Sequence, residues 1–158
     1  MKIATSYFYQ IRNFTPNLIP VSVCVSDPKW YRPPHDKEYY IDKRGIVCGL
    51  RYEPLVVQLQ GKHGCPGPEQ CWVAESYLKN STENKISCPT MIEYKQLLYS
   101  LVDKEKTLKA FEHCCNKFNA DTIVLIVYEV PQNLCSERKA LQEFFNCEEL
   151  KYPIKDNY

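Results

Sequence analysis

The sequence predicts a small single α/β domain: a mostly parallel sheet flanked by helices, with a loop-rich, cysteine-containing insertion in its middle. Three observations carry that reading. The run from Ile123 to Val127 is continuous, apolar and rich in β-branched residues, the pattern of a strand covered on both faces. On either side of it, Lys104 to Phe118 and Ser136 to Phe145 repeat apolar residues at helical spacing. Strand-like and helix-like segments then follow one another in the order that crossover connections require. At 158 residues, 44% hydrophobic and 13% aromatic, the chain can bury one core and is too apolar to remain disordered.

Taken in order, Lys2 to Tyr9 reads as a first strand and Ile19 to Val25 as a second, with Pro20 at its start and Ser26-Asp27-Pro28 closing it. Lys29 to Asp42 is aromatic, charged and interrupted by Pro33-Pro34, the composition of a long ordered loop. Ile46 to Leu50 and Leu55 to Leu59 fit short strands or irregular chain equally well. The insertion, residues 60–89, is punctuated by Gly61, Gly64, Pro66, Gly67, Pro68 and the Asn80-Ser81-Thr82 cluster. Pro89 suits a first helical position, and Met91, Tyr94, Leu98 and Leu101 follow at helical spacing. A second helix covers Lys104 to Phe118, with Leu108, Phe111 and Cys115 inward. After the buried strand, Ala140, Leu141, Phe144 and Phe145 share one face of a third helix, with Ser136 or Asn133 as its N-cap. Glu149 to Tyr152 closes the domain as a short strand.

The formal net charge is +1, so no overall electrostatic attraction to nucleic acid or membrane is expected. No apolar segment approaches the length of a membrane span, and Met1 to Tyr9 lacks the apolar core of a signal peptide. The expected location is cytoplasmic, where thiols stay reduced. Nine cysteines, an odd number, then point to buried thiols or metal ligands rather than to a disulfide framework.

Three groups of residues could carry chemistry. His63, Cys65, Cys71 and Cys88 fall in the insertion, where soft ligands could hold zinc and fix a segment with few apolar residues of its own. An iron–sulfur cluster is the weaker form of that idea, and packing as free thiols the plain alternative. Glu129, Cys135, Glu137 and Arg138 follow the buried strand, beyond whose carboxyl end ligands of open α/β sheets sit. Cys135 at a helix start is a candidate catalytic thiolate, with Glu129 beside it. The alternative is a structural cysteine above a buried Glu129–Arg138 ion pair. Lys29, Trp30 and Tyr31 follow the second strand, and aromatic rings interleaved with basic groups can stack a base and hold a phosphate. A self-packed aromatic loop is the alternative there.

Both ends of the chain resemble the domain-of-unknown-function 488 family. The likeness rests on Glu129 after a strand and Cys135 before a helix, and on two N-terminal runs. These are Thr5-Ser6-Tyr7-Phe8 and Val21 to Tyr31, which reads Val-Ser-Val-Cys-Val-Ser-Asp-Pro-Lys-Trp-Tyr. The chain departs from the family pattern where Ser136 or Glu137 replaces a histidine, where Arg138 comes one residue late, and where Val25 replaces an arginine. The resemblance implies a compact α/β fold with a polar site joining the two sheet-edge loops, and implies no reaction.

The function these features suggest is binding of a nucleotide or nucleic-acid-derived anionic ligand at the carboxyl edge of the sheet. In that reading Lys29, Arg138 and Glu137 meet the ligand's polar groups while Trp30 or Tyr31 stacks. Two other readings remain: a thiol-dependent enzyme acting through Cys135, and an interaction module stiffened by zinc.

Overall fold

A computed structural model describes residues 1–56, 89–131 and 136–151. Its centre is a four-stranded sheet in the order β2-β5-β1-β6, every neighbouring pair parallel. The strands are β1 (Lys2–Tyr7), β2 (Leu18–Ser22), β5 (Thr122–Val127) and β6 (Glu148–Glu149). Between β2 and the insertion, β3 (Tyr40–Ile41) and β4 (Val47–Cys48) form an antiparallel hairpin of their own. The helices are α1 (Pro89–Leu101), α2 (Lys104–Phe118) and α3 (Arg138–Phe145). None of the described helices is long and apolar enough to cross a membrane. The expected α/β class and mainly parallel sheet are therefore what the chain adopts.

All six residues of β5 are buried, which is why its sequence carries no polar alternation. The pleat sends them to two separate cores. Ile123, Leu125 and Val127 join Ile19, Val21, Phe111, Leu141, Phe144 and Phe145 on the helix-covered face. Val124 and Ile126 join Phe8, Ile11, Phe14, Tyr31, Ile46 and Cys48 on the other. Among the described residues, that second face is covered without an α-helix. A 3-10 helix (Phe8–Asn13) bridges β1 and β2, and a 3-10 turn (Lys29–Tyr31) with the β3–β4 hairpin completes the layer. The bridge has only residues 8–17 in which to pass over β5, and the 3-10 form gains more length per residue than an α-helix does.

Local chemistry explains the ends of the elements. Asp103 caps α2 by accepting the Lys106 N–H at 3.0 Å. Asn119 and Asn146, both left-handed (φ 53° and 52°), end α2 and α3. Pro20 is tolerated because β2 is an edge strand and needs no donor on its outer side there. Two residues later Ser22 does pair outward, accepting from Tyr52 N–H and donating its own N–H to Leu50 O.

Several boundaries differ from expectation. The first strand ends at Tyr7 because Phe8 turns into the second core, and the second ends at Ser22, where the chain folds toward Asp27. Leu101, which follows Tyr94 and Leu98 at helical spacing, is nevertheless 74% exposed, while those two are buried. Val102 packs against the core in its place, because the helix stops there and the chain turns. Of the Leu55 to Leu59 segment, Leu55 ends a 3-10 turn (Glu53–Leu55) and is fully buried. Residues 57–59 of that segment, and most of the insertion, lie outside the described residues.

Tyr31 ties the second layer to the sheet. Its hydroxyl lies 3.0 Å from Pro20 O and 2.6 Å from Leu50 O, inside a ring cluster with Phe8 and Trp30. Tyr31→Phe is expected to lower unfolding free energy by about 1–3 kcal/mol, because it strips a buried donor from these carbonyls. Denaturant titration of the two proteins checks this, and equal midpoints would show that the hydroxyl is not a strut.

Candidate functional site

In a parallel sheet all strands point the same way, so Tyr7, Ser22, Val127 and Glu149 end along one edge. Beyond it the chain leaves β5 through Tyr128 and Glu129 and returns at α3. Arg138, the first residue of that helix, is only 3% exposed. Its Nε donates to Glu149 Oε1 at 2.7 Å and its Nη2 to the backbone carbonyl of Glu129, also at 2.7 Å. The guanidinium carbon lies 5.9 Å from the centre of the Tyr7 ring. Glu149 Oε1 also accepts from Thr5 Oγ1 at 2.7 Å, and Thr5 Oγ1 in turn accepts from Gln142 Nε2 at 2.8 Å. A polar network joining β1, β6 and α3 therefore fixes the guanidinium.

Two atoms at this edge are left over. Arg138 Nη1 and Glu129 Oε1 are both buried, and among the described residues neither has a hydrogen-bond partner. A donor and an acceptor of opposite charge are thus held out of water and unused, each at a cost of about 1–3 kcal/mol. Glu137, half-buried at the start of α3, completes the group. Burial first, and the Glu129 carboxylate second, push its pKa up to about 7. Cys24, just past β2, is driven well above the ordinary thiol range by burial, then by Glu137, Glu129 and Asp27. It remains a thiol, placed 3.5 Å from Ile126 O.

A second polar cluster braces the end of β2. Asp27, 6% exposed, accepts from Ser22 Oγ and from Arg51 Nη1, the latter at 2.8 Å. Its backbone carbonyl accepts from Arg32 Nε at 3.0 Å. This holds the loop that leads to Lys29.

The expected site residues divide into three sets. Glu129, Glu137 and Arg138 come together. The expected buried ion pair between Glu129 and Arg138 does not form: the arginine pairs with Glu149 and takes only the backbone carbonyl of residue 129. Tyr31 belongs with Phe8 to the core on the face away from the helices, whereas Arg138 begins α3, whose apolar residues pack on the other face. Tyr31 is corrected from a stacking residue to a core strut, because it is fully buried with its hydroxyl engaged. Trp30 is 54% exposed, and Lys29 is exposed. Cys135, His63, Cys65, Cys71 and Cys88 lie outside the described residues. Cys24, Cys48 and Cys115 are buried, as expected of packing thiols, and Cys114 and Cys147 are half-buried. Among the described residues, no three His, Cys, Asp or Glu side chains are grouped to hold a metal ion.

Reading the sequence missed Glu149, Thr5 and Gln142, which join the site only through strand register. It also missed the Asp27–Arg51 pair, for which the run Ser22 to Asp27 offers no signal of a partner so far along the chain. In comparisons with known proteins, no family model matches the chain, and no curated protein or solved structure gives a significant match.

The raised pKa of Glu137 has a consequence for stability. Between its ordinary value of 4.5 and about 7, the folded chain keeps a proton that the unfolded chain has lost. Stability contributed at this position therefore falls as pH rises through that window. Glu137→Gln is expected to stabilise the protein at pH 8 by on the order of 2 kcal/mol, discounted for partial exposure, and to change little at pH 4. Denaturation curves at the two pH values test this, and a gain of the same size at both would exclude the linkage.

Proposed function

We propose that the chain binds a small ligand carrying an anionic group and a neighbouring hydroxyl at the carboxyl edge of its sheet. Arg138 Nη1 would meet the anion and Glu129 the hydroxyl. A nucleotide, or a fragment derived from nucleic acid, carries both groups as phosphate and ribose, and a carboxylate accepting ribose hydroxyls is a recurrent device at such edges. The observation that carries the reading is a pair of buried atoms of opposite character with no partner among the described residues, beside a polar network on three elements. An anion here meets the charges of Glu129, Glu137 and Glu149 as well as that of Arg138. The proton that Glu137 takes up near neutrality relieves that repulsion, so the reading requires tighter binding at lower pH. The likeness to the domain-of-unknown-function 488 family points to the same edge through Glu129, and it belongs to this proposal.

Titration calorimetry with adenosine monophosphate, against inorganic phosphate, tests the reading. One saturable site is expected for the nucleotide, several-fold tighter at pH 6 than at pH 8, with that difference lost in Glu137→Gln. Arg138→Lys keeps the charge but not the planar fork, and should weaken binding about tenfold. Glu129→Gln should affect the nucleotide more than phosphate. Absence of saturable binding at both pH values, or unchanged affinity in a folded Arg138→Lys protein, would overturn the proposal.

A further inference from the structure

Phe8, Ile11 and Cys48 belong to the core on the face away from the helices, and they also line a cavity of about 500 Å³. That size falls within the range of small-molecule pockets. None of its lining residues takes part in the carboxyl-edge site. The floor is apolar and closed: Phe8, Ile11 and Cys48 are each 5% exposed or less. Burial first, and then the charge of Asp42, push the Cys48 thiol up to about 11, so it stays protonated and adds to the apolar floor. At the rim, by contrast, Trp30 leaves 54% of its surface in water.

Three segments form the walls, and their polar groups are spent on bracing them against one another. Arg44, in the hairpin loop, donates to Asp42 Oδ2 at 2.8 Å and reaches across to the carbonyls of Ile11 (3.2 Å) and Arg12. Tyr40 of β3 donates its hydroxyl to the carbonyl of Trp30 at 2.5 Å. The Phe8 and Trp30 rings meet nearly at right angles, their centres 6.2 Å apart. The hairpin is thus fastened to both other walls. An aromatic ring left half in water beside an apolar floor offers a flat partner to another ring.

The charged side chains of the lining narrow the ligand further, because each is already engaged. Asp42 and Arg44 pair with one another at 2.8 Å. Arg12 lies over the Tyr9 ring, 4.1 Å from its centre, and is not free. A charged ligand would have to compete with these contacts and give up its own water. An uncharged one displaces water from apolar surface and leaves them intact. We propose that this cavity binds a small, uncharged, planar aromatic molecule, its ring against Trp30 and its body over Phe8, Ile11 and Cys48. This site stands or falls separately from the function proposed above, which asks for an anion.

The probe is N-phenyl-1-naphthylamine, whose fluorescence rises as it leaves water, compared with 1-anilinonaphthalene-8-sulfonate, the same ring system with a sulfonate added. The chain is expected to bind the neutral compound at one saturable site, several-fold tighter than the sulfonate. Loss of the ring in Trp30→Ala should weaken the neutral compound about tenfold. Trp30→Phe keeps a ring at the rim and should restore most of that loss. Tyr99→Ala removes an equally exposed ring on α1 and should change nothing, with circular dichroism confirming that every variant is folded. Binding that never saturates, that ignores Trp30→Ala in a folded protein, or that falls equally in Tyr99→Ala would overturn the proposal. So would a sulfonate bound as tightly as the neutral compound, or more tightly.

Discussion

The arrangement depends on one strand being closed in on both faces. Because β5 is fully buried, the chain must supply two different coverings. The helices provide one, packing Leu98, Phe111, Leu141 and Phe144 over Ile123, Leu125 and Val127. The second is assembled from 3-10 turns and a two-residue hairpin around Phe8, Ile11, Tyr31 and Cys48. Each covering leaves its own kind of recess. The helical layer meets the strand ends at a charged edge, while the turn layer leaves a hollow between braced aromatic segments.

At the charged edge, Arg138 is the piece around which the rest is arranged. A guanidinium held almost entirely out of water is tolerated only where its donors are taken. Glu149 and the carbonyl of Glu129 take two of its nitrogens, and Thr5 and Gln142 hold Glu149 in place. A structural role alone would be served by completing the set, since Glu129, whose carbonyl the guanidinium already reaches, carries an oxygen with no partner among the described residues. That the side chain of Glu129 does not close the gap is what separates this edge from an ordinary buried ion pair. Glu137, sharing the edge and holding its proton to about pH 7, makes its charge adjustable near neutrality.

Much of the fold was legible in the sequence. The β-branched run at Ile123 to Val127 read as a strand covered on both faces, and the Lys104 to Phe118 helix was readable to its last residue from its apolar spacing. The burial of Ala140, Leu141, Phe144 and Phe145 followed from the same periodicity. What could not be read was which face each loop would take. Lys29 to Tyr31 and Glu129 to Arg138 both follow parallel strands, so sequence order places them on one edge. The packing of Phe8 and Tyr31 with Val124 and Ile126 puts Tyr31 into the core on the face away from the helices. Arg138's real partner was hidden for a related reason: Glu149 reaches it through the pairing of β6 with β1, a register that no local pattern encodes.

The most direct test of the central claim is a crystal structure of the chain grown with adenosine monophosphate at pH 6. The account predicts density at the carboxyl edge, with a phosphate oxygen within hydrogen-bond reach of Arg138 Nη1 and a ribose hydroxyl on Glu129 Oε1. A structure in which an ordered water alone bridges those two atoms, with the nucleotide absent or bound elsewhere, would contradict it and make the edge a solvated structural network.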